Sequence, residues 1–399
     1  MSGAQTQTAA PRSFARRARR VLLGLSLGLA GVVALFEVAC RLAPLPGLSR
    51  AELDPTKDQF KNSRVVPHPY LAYAGRPDFR VEPTEKAPLL VSHNSLGLNG
   101  PETTWEKPEG VYRIVCLGGS STYGIGPSST FTNWPVVLQQ ELNLRGLAKP
   151  VEVLNLGLQG YSTFESQVNL ALRGVEFRPD LVLVYHTIND MRCALYPGVV
   201  RDNTHWRAVW PVERPDRVRD ALETSYTFLA LRRYATDWLA RQRDLGTYVI
   251  VDFGKYLPDF YAQPTDPDLG FSNFRRNLVS IVGMARAHGA EVLLATQAVR
   301  MGDFDRFGST ALQKQGFERM TKLIGDVANE RSVPYCDVRT PVEAEADRQR
   351  AASGADRIFV RPNSEKPGVG NGEVHLTDEG CALVARTLAE RIVELGLVK

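Results

Sequence analysis

Cysteine is scarce and scattered in this chain. Five stand in 399 residues, at positions 40, 116, 193, 336 and 381, with no CxxC pair and no close Cys/His grouping of zinc-ligand spacing. Three of them sit in apolar runs that read as core. A disulfide-stapled scaffold and a structural zinc site are therefore excluded; no essential disulfide is expected, although a pairing of Cys193 stays open. Excess charge is missing too. The formal net charge is only +4, and Arg12, Arg16, Arg17, Arg19 and Arg20 crowd the first twenty residues, leaving the remainder close to neutral. A nucleic-acid surface is not suggested. Internal repeats and low-complexity tracts are absent, so solenoid and fibrous architectures drop out. With 43% hydrophobic and 23% charged residues, the chain has the composition of one large core of roughly 250 to 300 residues with appendages.

A long hydrophobic run is present once. Val21 to Cys40, VLLGLSLGLAGVVALFEVAC, holds a single charge, Glu37, near its far end. It is long enough to cross a bilayer, and the arginines before it keep the tail inside and send the rest of the chain across, a type II topology. A cleaved signal peptide needs small residues one and three positions before the cut; Ala39 fits and Glu37 does not. A lipoprotein signal ending at Cys40 fails at the same position. An uncleaved anchor is expected.

From Arg41 to about Pro108 the sequence is rich in proline and polar residues and reads as a stalk followed by irregular strands, with a short HNSLGLNGPE run at His93 to Glu102. From Val111, apolar runs alternate with amphipathic stretches: VYRIVCLG, NWPVVLQQELNLRG, VEVLNLG, SQVNLALRGVEF and DLVLVYH. After an interruption come FRRNLVSIVGMARAHG, EVLLAT, GFERMTKLIGDVANERS, VPYCDV and DEGCALVARTLAERIVELG. Doubly buried strands alternating with helices predict a parallel sheet covered on both faces, with the site beyond the carboxyl ends of its strands.

Four pieces follow those strands. Gly118-Gly119-Ser120-Ser121-Thr122 places a serine on a tight turn before a helix; alone it is as well read as a cap or phosphate cradle, though a P-loop fails for want of its lysine. In LGLQGYS, Gly160 would let a backbone N–H approach a ligand, or serve only as a turn glycine. In His186-Thr187-Ile188-Asn189-Asp190 the Asn189 amide can donate to an oxyanion, or the pair can be an ordinary turn. His375, in NGEVHLTDEG, stands just before a helix whose expected N-cap is Thr377. Their joint order in one alternating chain lifts them above these separate readings.

From about Val111 to the end the chain resembles the SGNH (GDSL-type) hydrolase superfamily. GGSST is similar to its first block, LQGYST to the second, TIND to the third and VHLTDEG to the fifth. The resemblance implies a three-layer α/β/α sandwich with a parallel sheet, preceded here by the transmembrane helix. It implies Ser120 as nucleophile, His375 as base, and the Ser120 N–H, Gly160 N–H and Asn189 side chain as oxyanion donors, without metal or cofactor. The family usually has an aspartate three residues before the histidine, where Gly372 stands. Glu373 is the candidate acid, Asn371 could orient the ring without charge, and a Ser-His dyad is known in the superfamily. Asp378 and Glu379 read as acids favoured at a helix start.

The basic anchor and the NSLG element resemble a bacterial envelope-associated branch, which implies the inner membrane, a periplasmic domain and an acylated carbohydrate or small ester as substrate. The expected organisation is a basic tail (1–20), an anchor (21–40), a stalk and extension (41–108) and a hydrolase domain (109–399) with an insertion at 191–270. The insertion carries Trp206, Trp210, Tyr226, Phe228, Trp238, Tyr248, Tyr256, Phe260 and Tyr261, and reads equally as a lid over the site or as a small helical subdomain. His186 would line the pocket or cap its strand. Three functions share these features: a serine esterase removing acetyl or other acyl groups, an O-acyltransferase passing them to a sugar hydroxyl, and a non-catalytic carbohydrate-binding relative.

Overall fold

The computed structural model describes residues 12–43, 64–84, 89–195, 199–203, 217–243, 268–300, 310–360 and 374–398, apart from 67 and 72, together with 45, 48 and 266. The chain divides into two compact units, Met1–Asn62 with Val212–Leu245, and Ser63–Pro211 with Gly246–Lys399. Helix α1 (Arg12–Leu42) opens the chain. Two antiparallel pairs follow, β1 (Val65–Val66) with β2 (Ala74–Gly75) and β3 (Arg80–Val81) with β4 (Val91–Ser92). Next come β5 (Tyr112–Gly118), α2 (Ser120–Tyr123), α3 (Trp134–Leu144), β6 (Val151–Asn155), α4 (Thr163–Asn169), β7 (Leu181–Tyr185) and α5 (Ile188–Ala194). Helices α6 (Arg217–Leu222) and α7 (Tyr226–Arg243) belong to the first unit. The second unit resumes with α8 (Leu269–Ala287), β8 (Glu291–Ala295), α9 (Thr310–Arg331), β9 (Tyr335–Cys336), α10 (Arg339–Ser353) and α11 (Asp378–Glu394).

The five longer-range strands form one parallel sheet in the order β6-β5-β7-β8-β9. Side chains alternate between two buried faces, as a period of two requires. Val115, Leu117, Val182, Val184, Val292 and Leu294 join the core beneath α5, α8 and α9. Ile114, Cys116, Leu181, Leu183 and Leu293 join the core beneath α3, α10 and α11. This is the expected three-layer α/β/α sandwich. The chain leaves β5 for β6 on one side and returns to β7 on the other, so the sheet's switch point lies at the carboxyl end of β5, where crevices open in such folds. All five cysteines are free and buried.

Helix starts follow their local chemistry. The Asn133 side chain accepts from the Val136 N–H at 3.0 Å, with Pro135 in the first turn of α3. Ser162 and Glu165 form a capping box at α4, and Thr377 caps α11 through the Gly380 N–H. The opening of β5 is clamped by Arg113, whose side chain is fully buried. Its Nε donates to Glu152 Oε2 at 2.7 Å, and its terminal nitrogens donate to the Trp105, Glu106 and Phe177 carbonyls at 3.1, 3.3 and 3.0 Å. Trp105 stacks on Phe177 with 4.4 Å between ring centres, so this guanidinium joins the segment entering the sheet to β5, β6 and the turn before β7.

Removing one partner of a buried, multiply bonded charge costs about 3 kcal/mol or more, because the partners left behind stay desolvated. Arg113→Ala should therefore lower the unfolding free energy by about that amount in denaturant titrations; a loss below about 1 kcal/mol would show that the clamp is dispensable.

Candidate active site

Ser120 begins α2 directly beyond β5, and His375 lies in the short segment that enters α11. The His375 Nε2 is 2.9 Å from Ser120 Oγ, across 255 residues of sequence. The histidine segment is held from the side: the Val360 N–H donates to the His375 carbonyl at 2.9 Å, the Thr377 N–H donates to the Ile358 carbonyl at 2.9 Å, and Phe359 bridges Leu376. Asp378 links the other side, accepting from the Ser128 N–H at 2.8 Å and from the Ser128 and Thr132 hydroxyls at 2.6 Å each. Burial opposes ionisation of Asp378, but these hydrogen bonds prevail and hold its carboxyl below the ordinary value.

Asn189 stands in the first turn of α5, beyond β7. Its Nδ2 donates to the Tyr161 carbonyl at 2.8 Å, leaving the second N–H of the amide for a ligand. A Cβ built at Gly119 would lie 2.6 Å from that same Nδ2, so glycine before the serine is what lets Asn189 reach the turn. Gly160 occupies the turn after β6 with φ of 77°, the left-handed region that favours glycine, immediately before the Tyr161 carbonyl that holds Asn189. Ser120, His375, Asn189 and the 160–161 turn are thus brought to one end of the sheet. Glu373, Gly372 and Asn371 lie outside the described residues, as do Trp206, Trp210, Tyr248, Tyr256, Phe260 and Tyr261 of the insertion.

What joins these loops has no sequence signature. Gln297, two residues beyond β8, is buried; its Nε2 donates to Ser121 Oγ at 3.0 Å, and its Oε1 accepts from the Ile188 N–H at 2.9 Å. Ser121 Oγ in turn donates to the Val374 carbonyl at 2.7 Å. One side-chain amide therefore couples the residue after Ser120, the residue before Asn189 and the residue before His375. A second support comes from the 93–99 segment: His93 Nε2 is 2.8 Å from the Tyr123 hydroxyl, and Asn99 Nδ2 donates to the Tyr123 carbonyl at 2.6 Å, at the end of α2. In the sequence HNSLGLNG reads as part of an irregular extension that carries the NSLG element, and its contact with the serine helix has no local signature.

His186 is buried beneath the site rather than lining it. Its Nε2 is 2.7 Å from Ser166 Oγ and its Nδ1 3.5 Å from Asp190, whose carboxylate also accepts from the Thr163 N–H at the start of α4. Burial pushes His186 down to about 3 even with that neighbour. Burial, with a smaller push from Arg64, takes His93 down to about 4 against the bond to the Arg76 carbonyl.

Both histidines fold neutral and titrate near 6.5 when unfolded. Below that pH the unfolded chain takes up protons the folded one refuses, so their stability contribution is complete above about 6.5 and lost as pH falls toward 4. Unfolding free energy should drop by about 2 kcal/mol per histidine between pH 7 and 5. The drop should be smaller in His186→Gln; an unchanged pH dependence in that variant would contradict the assignment. For Gln297→Leu, which keeps the bulk and removes both of its bonds, to Ser121 and to Ile188, turnover on a chromogenic ester should fall on the order of 100-fold with KM little changed. Wild-type turnover in Gln297→Leu would show that the loops hold their register without the amide.

No curated protein matches this chain in sequence. Solved structures similar to it include a lipase/acylhydrolase from Enterococcus faecalis, 14% identical, with a TM-score of 0.41, over 71% of this chain and 96% of that one. The acetyl xylan esterase AlAXEase is 14% identical, with a TM-score of 0.38, over 71% of this chain and 98% of that one. A GDSL-like lipase from Bacteroides thetaiotaomicron is 12% identical, with a TM-score of 0.36, over 71% and 88% respectively. The profile described as GDSL-like Lipase/Acylhydrolase family matches residues 116–383, a stretch that contains all four of the blocks around Ser120, Gly160, Asn189 and His375. The chain therefore belongs to the GDSL-like lipase/acylhydrolase family, within the superfamily its four blocks resembled.

Proposed function

We propose that this chain is a membrane-anchored serine esterase that removes acyl groups, acetyl foremost, from a carbohydrate of the bacterial cell envelope or an exopolysaccharide. The observation that carries the chemistry is the 2.9 Å approach of His375 Nε2 to Ser120 Oγ, within the range for proton transfer between base and nucleophile. The carbohydrate side rests on the resemblance of the basic anchor and the NSLG element to envelope-associated relatives. The anchor reading is supported by an apolar helix at Arg16–Leu42 with a mean hydropathy of 2.2 over its best window, none of which is covered by protein. Such a helix serves as an anchor or a signal sequence. The arginines ahead of it favour a cytoplasmic tail and a periplasmic hydrolase domain spanning 109–399.

In the first half-reaction Ser120 Oγ attacks the ester carbonyl and its proton passes to His375 Nε2. The resulting oxyanion is held by the Asn189 amide and by the Gly160 and Ser120 N–H groups. Collapse breaks the bond to the sugar oxygen, which takes the proton from the imidazolium and leaves an acyl-Ser120 ester. Water then repeats the sequence, giving free carboxylic acid and the original serine. Glu373 is the acid proposed to orient the imidazole.

The detergent-solubilised full chain should form a fluorophosphonate adduct on Ser120 that is lost in His375→Ala. Asn189→Ala should reduce turnover on the order of 100-fold to 1000-fold. Glu373→Ala tests the acid by the same labelling rate. A folded protein that takes no label would contradict the esterase reading, and acetate release that needs an added oligosaccharide acceptor would favour acyl transfer.

A further inference from the structure

Glu37 is a carboxylate inside an otherwise apolar helix, and an unpaired charge there opposes insertion. In the first unit it is fully engaged. Glu37 Oε2 accepts from Ser225 Oγ at 3.0 Å and from the Thr227 N–H at 3.1 Å, while Oε1 accepts from Arg41 Nη2 at 2.9 Å and Nε at 3.2 Å. Arg41 Nη2 also donates to the Thr224 carbonyl at 3.3 Å. The entry to α7 is thereby docked on the last turns of α1, and Cys40 and Leu229 are buried. From 19 to 35 α1 is uncovered, with Leu22, Leu25, Leu29 and Val32 all exposed.

The α6–α7 segment also leaves apolar groups uncovered. Leu231 is 65% and Tyr234 78% exposed, with exposed Arg233 between them, and Val218 and Leu222 on α6 are exposed as well. Depth gives these groups a partner. At about 1.5 Å per residue, a span that starts at Val21 crosses a hydrocarbon layer of about 30 Å by Cys40. Glu37, Arg41 and the first turn of α7 then lie within about one helical turn of the far headgroup level. A helix that mixes aromatic, aliphatic and arginine side chains is suited to that layer, where apolar bodies enter the acyl boundary and guanidinium groups meet lipid phosphates.

We propose that Arg217–Arg243 is a membrane-interface element, docked through Glu37 on the retained end of α1 and seated by Leu222, Leu231 and Tyr234 in the outer headgroup region of the same bilayer. This rests on the anchor reading above and deepens it. Cleavage after Ala39 would remove Glu37, the acceptor on which α7 begins, so the docked chain keeps its span.

The test uses the full chain in nanodiscs of phosphatidylethanolamine and phosphatidylglycerol, a lipid-soluble carbene photolabel, and tryptic peptide mass spectrometry. Adducts are expected on Val21–Arg41 and also on Asp220–Arg232 and Tyr234–Arg241. Glu37→Ala should reduce the latter two several-fold relative to the span peptide, and Glu37→Gln, which keeps an acceptor oxygen, should restore most of the signal. Adducts confined to Val21–Arg41 would overturn the interface role and leave the anchor standing. Protection of the α6–α7 peptides together with a dimeric mass would assign that face to a second copy and also overturn it. A mature chain lacking Val21–Arg41 would overturn the anchor and this inference together.

Discussion

Ser120, Asn189 and His375 come from three loops far apart in sequence, and a buried hydrogen-bond relay holds those loops in register. Ser121 Oγ sits between the Gln297 amide and the Val374 carbonyl, while the other end of Gln297 takes the Ile188 N–H. Each bond is made by a residue adjacent to a functional one or by Gln297 itself. A relay of this kind acts in a low-dielectric interior, where a satisfied network is rigid and a broken one is costly. The relay contributes to the approach of His375 to Ser120, because the histidine segment lies outside the parallel sheet and is positioned by lateral bonds of this kind together with the burial of Val374 and Leu376.

The same economy of paired polar groups runs beneath the site. Asp190 accepts from the Thr163 N–H and so ties the start of α4, beyond β6, to the first turn of α5, beyond β7. Asn155, at the end of β6, donates to the Thr122 carbonyl at 2.8 Å and fastens that strand to the serine helix. His186 and His93 remain neutral because burial outweighs every group that would protonate them. Beneath the end of the sheet a neutral His186 and the Asp190 carboxylate thus share one buried hydrogen-bonded group with Ser166 and Thr163.

The strands, most of the helices and the four blocks were legible because their signals are local: apolar runs of strand length, a serine on a glycine turn, a threonine cap before an amphipathic run. Helix α10 was not, since only Val342 and Ala346 are buried and the rest of RTPVEAEADRQRAAS reads as a charged loop. Gln297 was invisible for a different reason: a glutamine after EVLLAT has no motif, and its meaning comes wholly from contacts with residues 121 and 188. His186 followed a strand and read either as a pocket residue or as a cap on its strand end, and its neighbours Ser166 and Asp190 close over it. Glu37 argued at sequence level only against a cleavage site, and its hydrogen bonds to 225 and 227 could not be foreseen from a span with one charge.

A Ser120 nucleophile activated by His375 must carry the acyl group between the two half-reactions, and that acyl-enzyme can be trapped. The full-length protein would be mixed with p-nitrophenyl acetate, quenched in acid within the first turnover and digested for peptide mass spectrometry. One acetyl group is expected on the peptide containing Ser120, appearing with a stoichiometric burst of p-nitrophenol and absent in His375→Ala. An acetyl group on any other residue, or turnover without a covalent intermediate, would contradict it.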